Sequence, residues 1–247
     1  MTASKKMTLT HSLATASTFA VPFSGRHLHA NTLPGESALH LFAIHGGGAG
    51  NINIFSGLRH ALLEHDIGST AFDCIGHGRT GGAFAESSLL SRQQQAMSVI
   101  RHANIAPSTV LGISMGAYNA IRLSEMLPLQ SLILVVPGIY TPEALNVPFG
   151  PAFSDIIRQP RSWADSDAWE ILGRFRGRLL VIAAEKDGVI PLEIPERLYA
   201  SATSASEREL LVIPDAEHRG LLPIVLARPQ WRDAVMNNVM RALPERQ

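Results

Sequence analysis

Residues 109–127 read TVLGISMGAYNAIRLSEML. The stretch opens on a short apolar run, Thr109 to Ile113, of the kind that forms a buried strand, and closes on Ala117 to Leu127, whose apolar positions repeat at helical spacing. Between them lies Gly112-Ile113-Ser114-Met115-Gly116. A serine at a sharp strand-to-helix turn projects its hydroxyl into the open. Flanking glycines remove side chains that would clash across the turn, and the following helix aims backbone N–H groups at the same space.

Outward from this elbow the chain repeats one rhythm. Upstream, Leu39 to Ile44 (LHLFAI) is an almost unbroken apolar run that ends in His45-Gly46-Gly47-Gly48, as expected of a strand buried on both faces that opens into a glycine loop. Ile52, Phe55, Leu58, Leu62 and Leu63 recur at helical spacing, Ser69 to Cys74 returns to strand, and Leu89 to Ile105 predicts a helix with Met97, Ile100 and Ile105 turned inward. Downstream, Leu132 to Val136, Leu179 to Ala184 and Leu210 to Ile213 are further strand-like runs. Before all of these, Ser17–Phe23 and Arg26–Thr32 are β-prone runs joined by Ser24-Gly25, a two-residue hairpin connection. Strands alternating with helices predict an α/β fold. It is doubly wound, with a mostly parallel sheet of about eight strands, an N-terminal antiparallel hairpin and helices on both faces. Ligands of such sheets bind outside the carboxyl ends of the strands.

One segment breaks the rhythm. From about Gly138 to Gly173 the chain carries four prolines and the aromatics Tyr140, Phe149, Phe153, Trp163 and Trp169. It predicts a small helical lid, residues 138–173, over a core made of residues 1–137 and 174–247. Tyr140, Phe149, Phe153 and Trp163 are candidate substrate-binding residues, with packing of the lid on the core as the competing use.

The 247 residues are 46% hydrophobic and 17% charged, which excludes a disordered chain, and 21 Lys plus Arg balance 21 Asp plus Glu. That balance offers no long-range pull on phosphates, so no nucleic-acid partner is expected. Every apolar run is interrupted too early for a membrane span. Lys5 and Lys6 precede a partly apolar stretch, but threonines and serines interrupt it, so residues 1 to about 14 read as a polar surface segment rather than a secretion signal. Cys74 is the single cysteine, so neither an internal disulfide nor a multi-thiolate metal site can form, and a cytoplasmic location is the default expectation.

A serine hydroxyl needs a base, and the base needs an orienting acid. Leu179 to Ala184 runs into Glu185-Lys186-Asp187-Gly188, and Leu210 to Ile213 into Pro214-Asp215-Ala216-Glu217-His218. The order Ser114, Asp187, His218 places each candidate catalytic residue just past a strand. Glu185, Asp215 and Glu217 compete with Asp187 for the role of acid; the last two lie so near His218 in sequence that the backbone would have to fold back to meet its ring. No His pair has metal-ligand spacing, so no metal is expected. His45 reads as a loop-fixing hydrogen-bond partner, His77 as either a pocket or a structural residue, and Cys74 as a space-filler.

With these motifs in place, the chain resembles the α/β-hydrolase fold superfamily from about Thr18 to Leu243: the His45-Gly46-Gly47-Gly48 loop, Asp73-Cys74-Ile75-Gly76-His77-Gly78, the elbow, the Asp187 loop and the His218 loop. Ile75 stands where many relatives carry proline, and Ala49-Gly50-Asn51 departs from one lipase and esterase group. The resemblance implies an oxyanion hole from the N–H groups of Met115 and of Gly47 or its neighbour Gly48. It also implies a serine hydrolase acting on an ester, thioester or related acyl bond of a small or medium molecule, with no cofactor. The other readings are a carbon–carbon bond hydrolase, a lyase or an acyltransferase on the same fold, or a non-catalytic small-molecule receptor. The expected partner is a small acyl substrate; the oligomeric state is open, a homodimer being one admissible form.

Overall fold

The computed structural model describes residues 15–244; the polar N-terminal segment, residues 1–14, lies outside them. Eight strands form one sheet: β1 (Ser17–Phe23), β2 (Arg26–Leu33), β3 (His40–Ile44), β4 (Gly68–Phe72), β5 (Thr109–Ile113), β6 (Ser131–Val135), β7 (Arg178–Ala184) and β8 (Glu207–Ile213). Their spatial order is β1-β2-β4-β3-β5-β6-β7-β8, antiparallel for the pairs β1–β2 and β2–β4 and parallel from β4 onward. The β1–β2 hairpin turns at Ser24 and Gly25, both at positive φ (46° and 75°), the backbone that matches strand twist in a two-residue connection.

The helices are α1 (Ser56–Leu63), α2 (Leu89–His102), α3 (Met115–Leu123), α4 (Pro151–Ile157), α5 (Ala168–Arg174), α6 (Glu193–Ser201), α7 (Leu221–Ala227) and α8 (Pro229–Ala242). Alternate strand residues feed two apolar layers. Phe42, Ile44, Val110, Leu132, Leu134 and Val181 face one layer with α2, α3, α5 and α6, and Leu41, Ala43, Leu111, Ile133 and Ile182 face the other with α1, α7 and α8. Burial on both faces is why the central strands read as unbroken aliphatic runs. At about 25 cal/mol per Å² of apolar surface removed from water, these two layers are the dominant stabilising term.

The expected boundaries shift at the ends. β8 begins at Glu207, three polar residues before its apolar run; it is an edge strand, and of these residues Glu207 and Arg208 are exposed and Glu209 is half-buried. α2 stops at His102, and Asn104 takes a left-handed φ of 50°, so Ile105 falls past the helix and is only partly buried, as is Met97. Residues 138–173 contain a short 3-10 turn (Pro142–Ala144), α4 and most of α5. Among the described residues no helix is long and apolar enough to cross a membrane.

The chain passes from β3 to β4 on one side and then returns to β5 on the other. The loops leaving β3 and β5 therefore diverge at neighbouring carboxyl ends, the point where open α/β sheets form their ligand crevice.

Candidate active site

Ser114 occupies the turn between β5 and α3 at φ 51° and ψ −119°, a backbone that non-glycine residues rarely adopt. Its own N–H donates to Val135 O (2.9 Å), and its carbonyl accepts from Gly138 N–H (3.1 Å) and Ala117 N–H (2.9 Å), so the strained turn is held by β6 and α3. Both flanking glycines are required by close approach. A Cβ at Gly112 would lie 2.5 Å from Ala117 Cα and 2.6 Å from its N, and one at Gly116 would lie 2.7 Å from His45 O.

The Ser114 hydroxyl is 3.1 Å from His218 Nε2, and His218 Nδ1 is 2.8 Å from Asp187 Oδ2. Asp187 Oδ1 accepts from the N–H groups of Val189 and Ile190, 2.8 Å each. Burial pushes the Asp187 carboxyl up, but the His218 hydrogen bond and the two backbone donors outweigh it and hold the group below its ordinary value. An ionised carboxylate only accepts, so the proton of the imidazole sits on Nδ1 and Nε2 is left as an acceptor facing the serine hydroxyl. Of the rival carboxylates, Glu185 accepts from Asp215 N–H, Asp215 pairs with Lys186, and Glu217 is exposed. Side-chain exposure is 15% for His218 and 6% for Asp187, so the pair is sheltered while the imidazole still reaches the cavity.

That cavity, about 730 Å³, is lined by Gly46–Gly50, Asn51, Asn53, Ile54, Ile113, Ser114, Met115, Tyr140, Val189, His218, Arg219 and Gly220. Gly47 and Gly48 are thus in its wall. The N–H of Met115, in the first turn of α3, belongs to the backbone donors that have no acceptor within the helix. A Cβ placed on Gly46 would lie 3.7 Å from Ser114 Oγ, which shows how closely the glycine loop lies against the serine.

Of the four aromatics named from sequence, Tyr140 lines the cavity. Phe149, Phe153 and Trp163 are buried and take part in the apolar layer around α3 and α5, where Phe149 meets Phe84 and Phe153, and Trp163 meets Trp169. Burial pushes the Tyr140 hydroxyl up to about 12, which keeps it a neutral donor. Tyr118 donates to Asp167 Oδ1 (2.7 Å) and Arg122 pairs with the same carboxylate, tying α3 to the start of α5.

Buried groups lie behind the glycine loop, and two of them, His45 and Arg92, bond its carbonyls. His45 Nε2 accepts from Cys74 N–H (3.0 Å), so its Nδ1 carries the proton and donates to Gly46 O (2.6 Å). His77 is buried between the rings of His45 and Phe84 and is not in the cavity wall. Ile75 donates its N–H to Gln95 Oε1 (2.9 Å), a bond a proline at that position could not make. Arg92, fully buried on α2, reaches the carbonyls of His45 and Gly46. Nothing in the sequence singled it out, because the run Ser91-Arg92-Gln93-Gln94-Gln95 reads as a solvated helix face. Among the described residues no cluster of three or more His, Cys, Asp or Glu is arranged to hold a metal ion.

The family profile described as serine aminopeptidase, S33, matches residues 35–160, half of the chain, including the glycine loop and the serine elbow. The chain belongs to the serine aminopeptidase S33 family. This S33 protein is therefore a hydrolase by family, with the α/β-hydrolase fold. No curated protein matches it by sequence. Among solved structures it is similar to a predicted CIB-like hydrolase from Thermoplasma acidophilum (15% identity, TM-score 0.69, covering 93% of this chain and 99% of that one). It is also similar to Est1E from Butyrivibrio proteoclasticus, solved with ferulic acid bound (16%, 0.67, 90% and 99%). A monoacylglycerol lipase from Paleococcus ferrophilus is a third (17%, 0.67, 87% and 97%). At these identities the likeness of the S33 protein to each is one of fold.

Proposed function

We propose that this S33 hydrolase cleaves an ester, thioester or related acyl bond of a small or medium molecule through a Ser114–His218–Asp187 triad. The observation that carries the reading is the continuous hydrogen-bond chain from Ser114 Oγ through both nitrogens of His218 to Asp187. Ser114 Oγ attacks the acyl carbon while its proton passes to His218 Nε2. His218 returns that proton to the departing alcohol or thiol, leaving an acyl-Ser114 ester. Water, deprotonated by the same nitrogen, then releases the acid and restores the hydroxyl. Asp187 keeps the imidazole in the right tautomer and stabilises its charged form. The N–H groups of Met115 and Gly47, with Gly48 beside it, receive the negative charge of each tetrahedral intermediate; one such donor is worth about 3 to 4 kcal/mol. Residues 138–173 act as the lid, with Tyr140 its contact to substrate.

The cavity wall favours esters over N-terminal peptides. A free α-ammonium is best received by a carboxylate, and among the described residues lining the cavity there is none, whereas Arg219 contributes a cation that repels it and Ile54, Ile113, Met115 and Val189 contribute apolar surface. Turnover of p-nitrophenyl acetate or butyrate by the wild type, abolished in Ser114→Ala of unchanged fold, is the expected result. Undiminished turnover in that variant refutes the reading.

A further inference from the structure

Arg92 is an odd residue for its place. Its side chain is fully buried in α2, and among the described residues no carboxylate pairs with it. Its Nε–H has no acceptor at all. Burying a cation without a counter-ion is costly, and a well-packed apolar side chain would serve the core as well or better. What the guanidinium does contact is the backbone of the glycine loop: its Nη atoms donate to His45 O and, at 3.4 Å, to Gly46 O. The Gly46 carbonyl also accepts from His45 Nδ1 (2.6 Å), so it is gripped from within the protein by two donors.

A trans peptide is planar, and its C=O and N–H point in opposite directions. Among the described residues every peptide is trans. Pulling the Gly46 oxygen inward onto Arg92 and His45 therefore turns the Gly47 N–H outward, and Gly46 and Gly47 stand in the wall of the Ser114 cavity. The same loop is pressed against the nucleophile, as the 3.1 Å from a Cβ on Gly46 to Ser114 Cβ records. A glycine loop has few intrinsic preferences, so without an anchor the 46–47 peptide could rotate and present its carbonyl to the cavity instead.

We propose that Arg92 is a positioning residue for the oxyanion hole: it fixes the Gly46–Gly47 peptide with its N–H facing the acyl oxygen, and its unpaired buried charge favours the anion that forms there. The inference rests on the triad reading above. It assigns to Arg92 interactions that gain strength only when negative charge develops, so its loss acts on kcat and leaves substrate binding alone.

The test compares wild type, Arg92→Met and Arg92→Lys, each verified as folded by circular dichroism and thermal melting. The measurements are kcat and KM for p-nitrophenyl butyrate and Ki for phenylboronic acid, whose tetrahedral adduct on Ser114 places an oxygen in the hole. In Arg92→Met, kcat falls roughly 10- to 100-fold with KM within about twofold, and the boronate binds weaker by a similar factor. Arg92→Lys, which keeps the charge but can reach only one carbonyl, recovers part of both. A kcat within about threefold of wild type in folded Arg92→Met overturns the proposal, as does a fall in kcat with boronate affinity unmoved. Should Arg92→Met not fold, Arg92→Lys carries the same comparison. Unfolding of both variants overturns the proposal in favour of a purely structural arginine. If the wild type itself turns over no ester and binds no boronate, it is the triad reading that fails; Ser114-dependent turnover indifferent to Arg92 sinks the positioning role alone.

Discussion

Replacing Gly116 with alanine puts a methyl carbon 2.7 Å from His45 O and closer still to Ile44 O, both on the backbone that leaves β3. Unstrained carbon–oxygen contacts lie at about 3.3–3.6 Å, so the N-terminus of α3 and the end of β3 must separate by about 0.6 Å to relieve the His45 O contact alone, and by about 1 Å to relieve the closer one with Ile44 O. No side chain can rotate to relieve this, since both obstacles are main-chain carbonyls in the centre of the sheet. Overpacking of this kind costs about 1–3 kcal/mol, equivalent in a chain of this size to a fall of about 2–12 °C in Tm. The functional cost is separate and larger. Ser114 and Met115 start α3, and Gly46–Gly48 continue β3, so the movement pulls the two halves of the proposed oxyanion hole apart. Misplacement by about 1 Å costs about 10²-fold in rate, so kcat/KM for p-nitrophenyl butyrate should drop by roughly 10- to 100-fold. Thermal melting and steady-state kinetics on the same preparation separate the two effects. A Gly116→Ala protein with wild-type Tm and wild-type kcat/KM would refute the placement of the β3 loop against the elbow.

Other consequences are as direct. Asp187→Asn favours the wrong tautomer of His218 and should lower kcat by about 10⁴-fold, read with the same ester. Because the Asp187 carboxyl is held below its ordinary value of 3.8, the stability it contributes is fully present above that pH and is lost as pH falls through the lower folded-state value. The stability gap between wild type and Asp187→Asn in urea titrations should therefore hold steady well above pH 3.8 and narrow as pH falls below that value; a gap that stays constant there contradicts the assignment. Asp167→Ala leaves the Tyr118 hydroxyl and Arg122 without their shared acceptor and should cost about 1–3 kcal/mol in chemical denaturation, whereas an unchanged midpoint would show the α3–α5 tie to be idle. Burial pushes the Cys74 thiol up to about 11, so a disulfide-exchange reagent near neutral pH should label it only after unfolding, and rapid labelling of the native protein would contradict that burial.

Much of the architecture was legible because strands buried on both faces leave aliphatic runs such as Leu132–Val136 and Leu179–Ala184, and because the elbow has a local sequence requirement that the clashes at Gly112 and Gly116 explain. Ser114, Asp187 and His218 could be picked out singly since each follows such a run; that they meet is a property of strand order, which depends on long-range pairing and is not written in any one segment. The edge strand was less legible: Glu207 and Arg208 face solvent, Glu209 is half-buried, and all three break the apolar signal. Arg92 and Gln95 were invisible for a different reason. Their burial is compensated by backbone carbonyls and a backbone N–H far away in sequence, and helical periodicity counts them as polar wherever those partners lie. The aromatic segment gave its composition but not its allocation, because the same rings suit a core or a cavity; the fold puts Tyr140 in the cavity wall and Phe149, Phe153 and Trp163 among buried neighbours.

The proposed function requires that His218 activate Ser114 for attack on an electrophilic centre. Its most direct measurement is the rate of covalent labelling by a fluorophosphonate, with the modified peptide located by mass spectrometry, in wild type and in His218→Ala. One adduct is expected, on Ser114, formed several hundredfold or more slowly once the imidazole is gone, in line with the roughly 10³-fold and larger losses seen when a triad member is removed. An adduct on another residue, or equal rates in the two proteins, would contradict it.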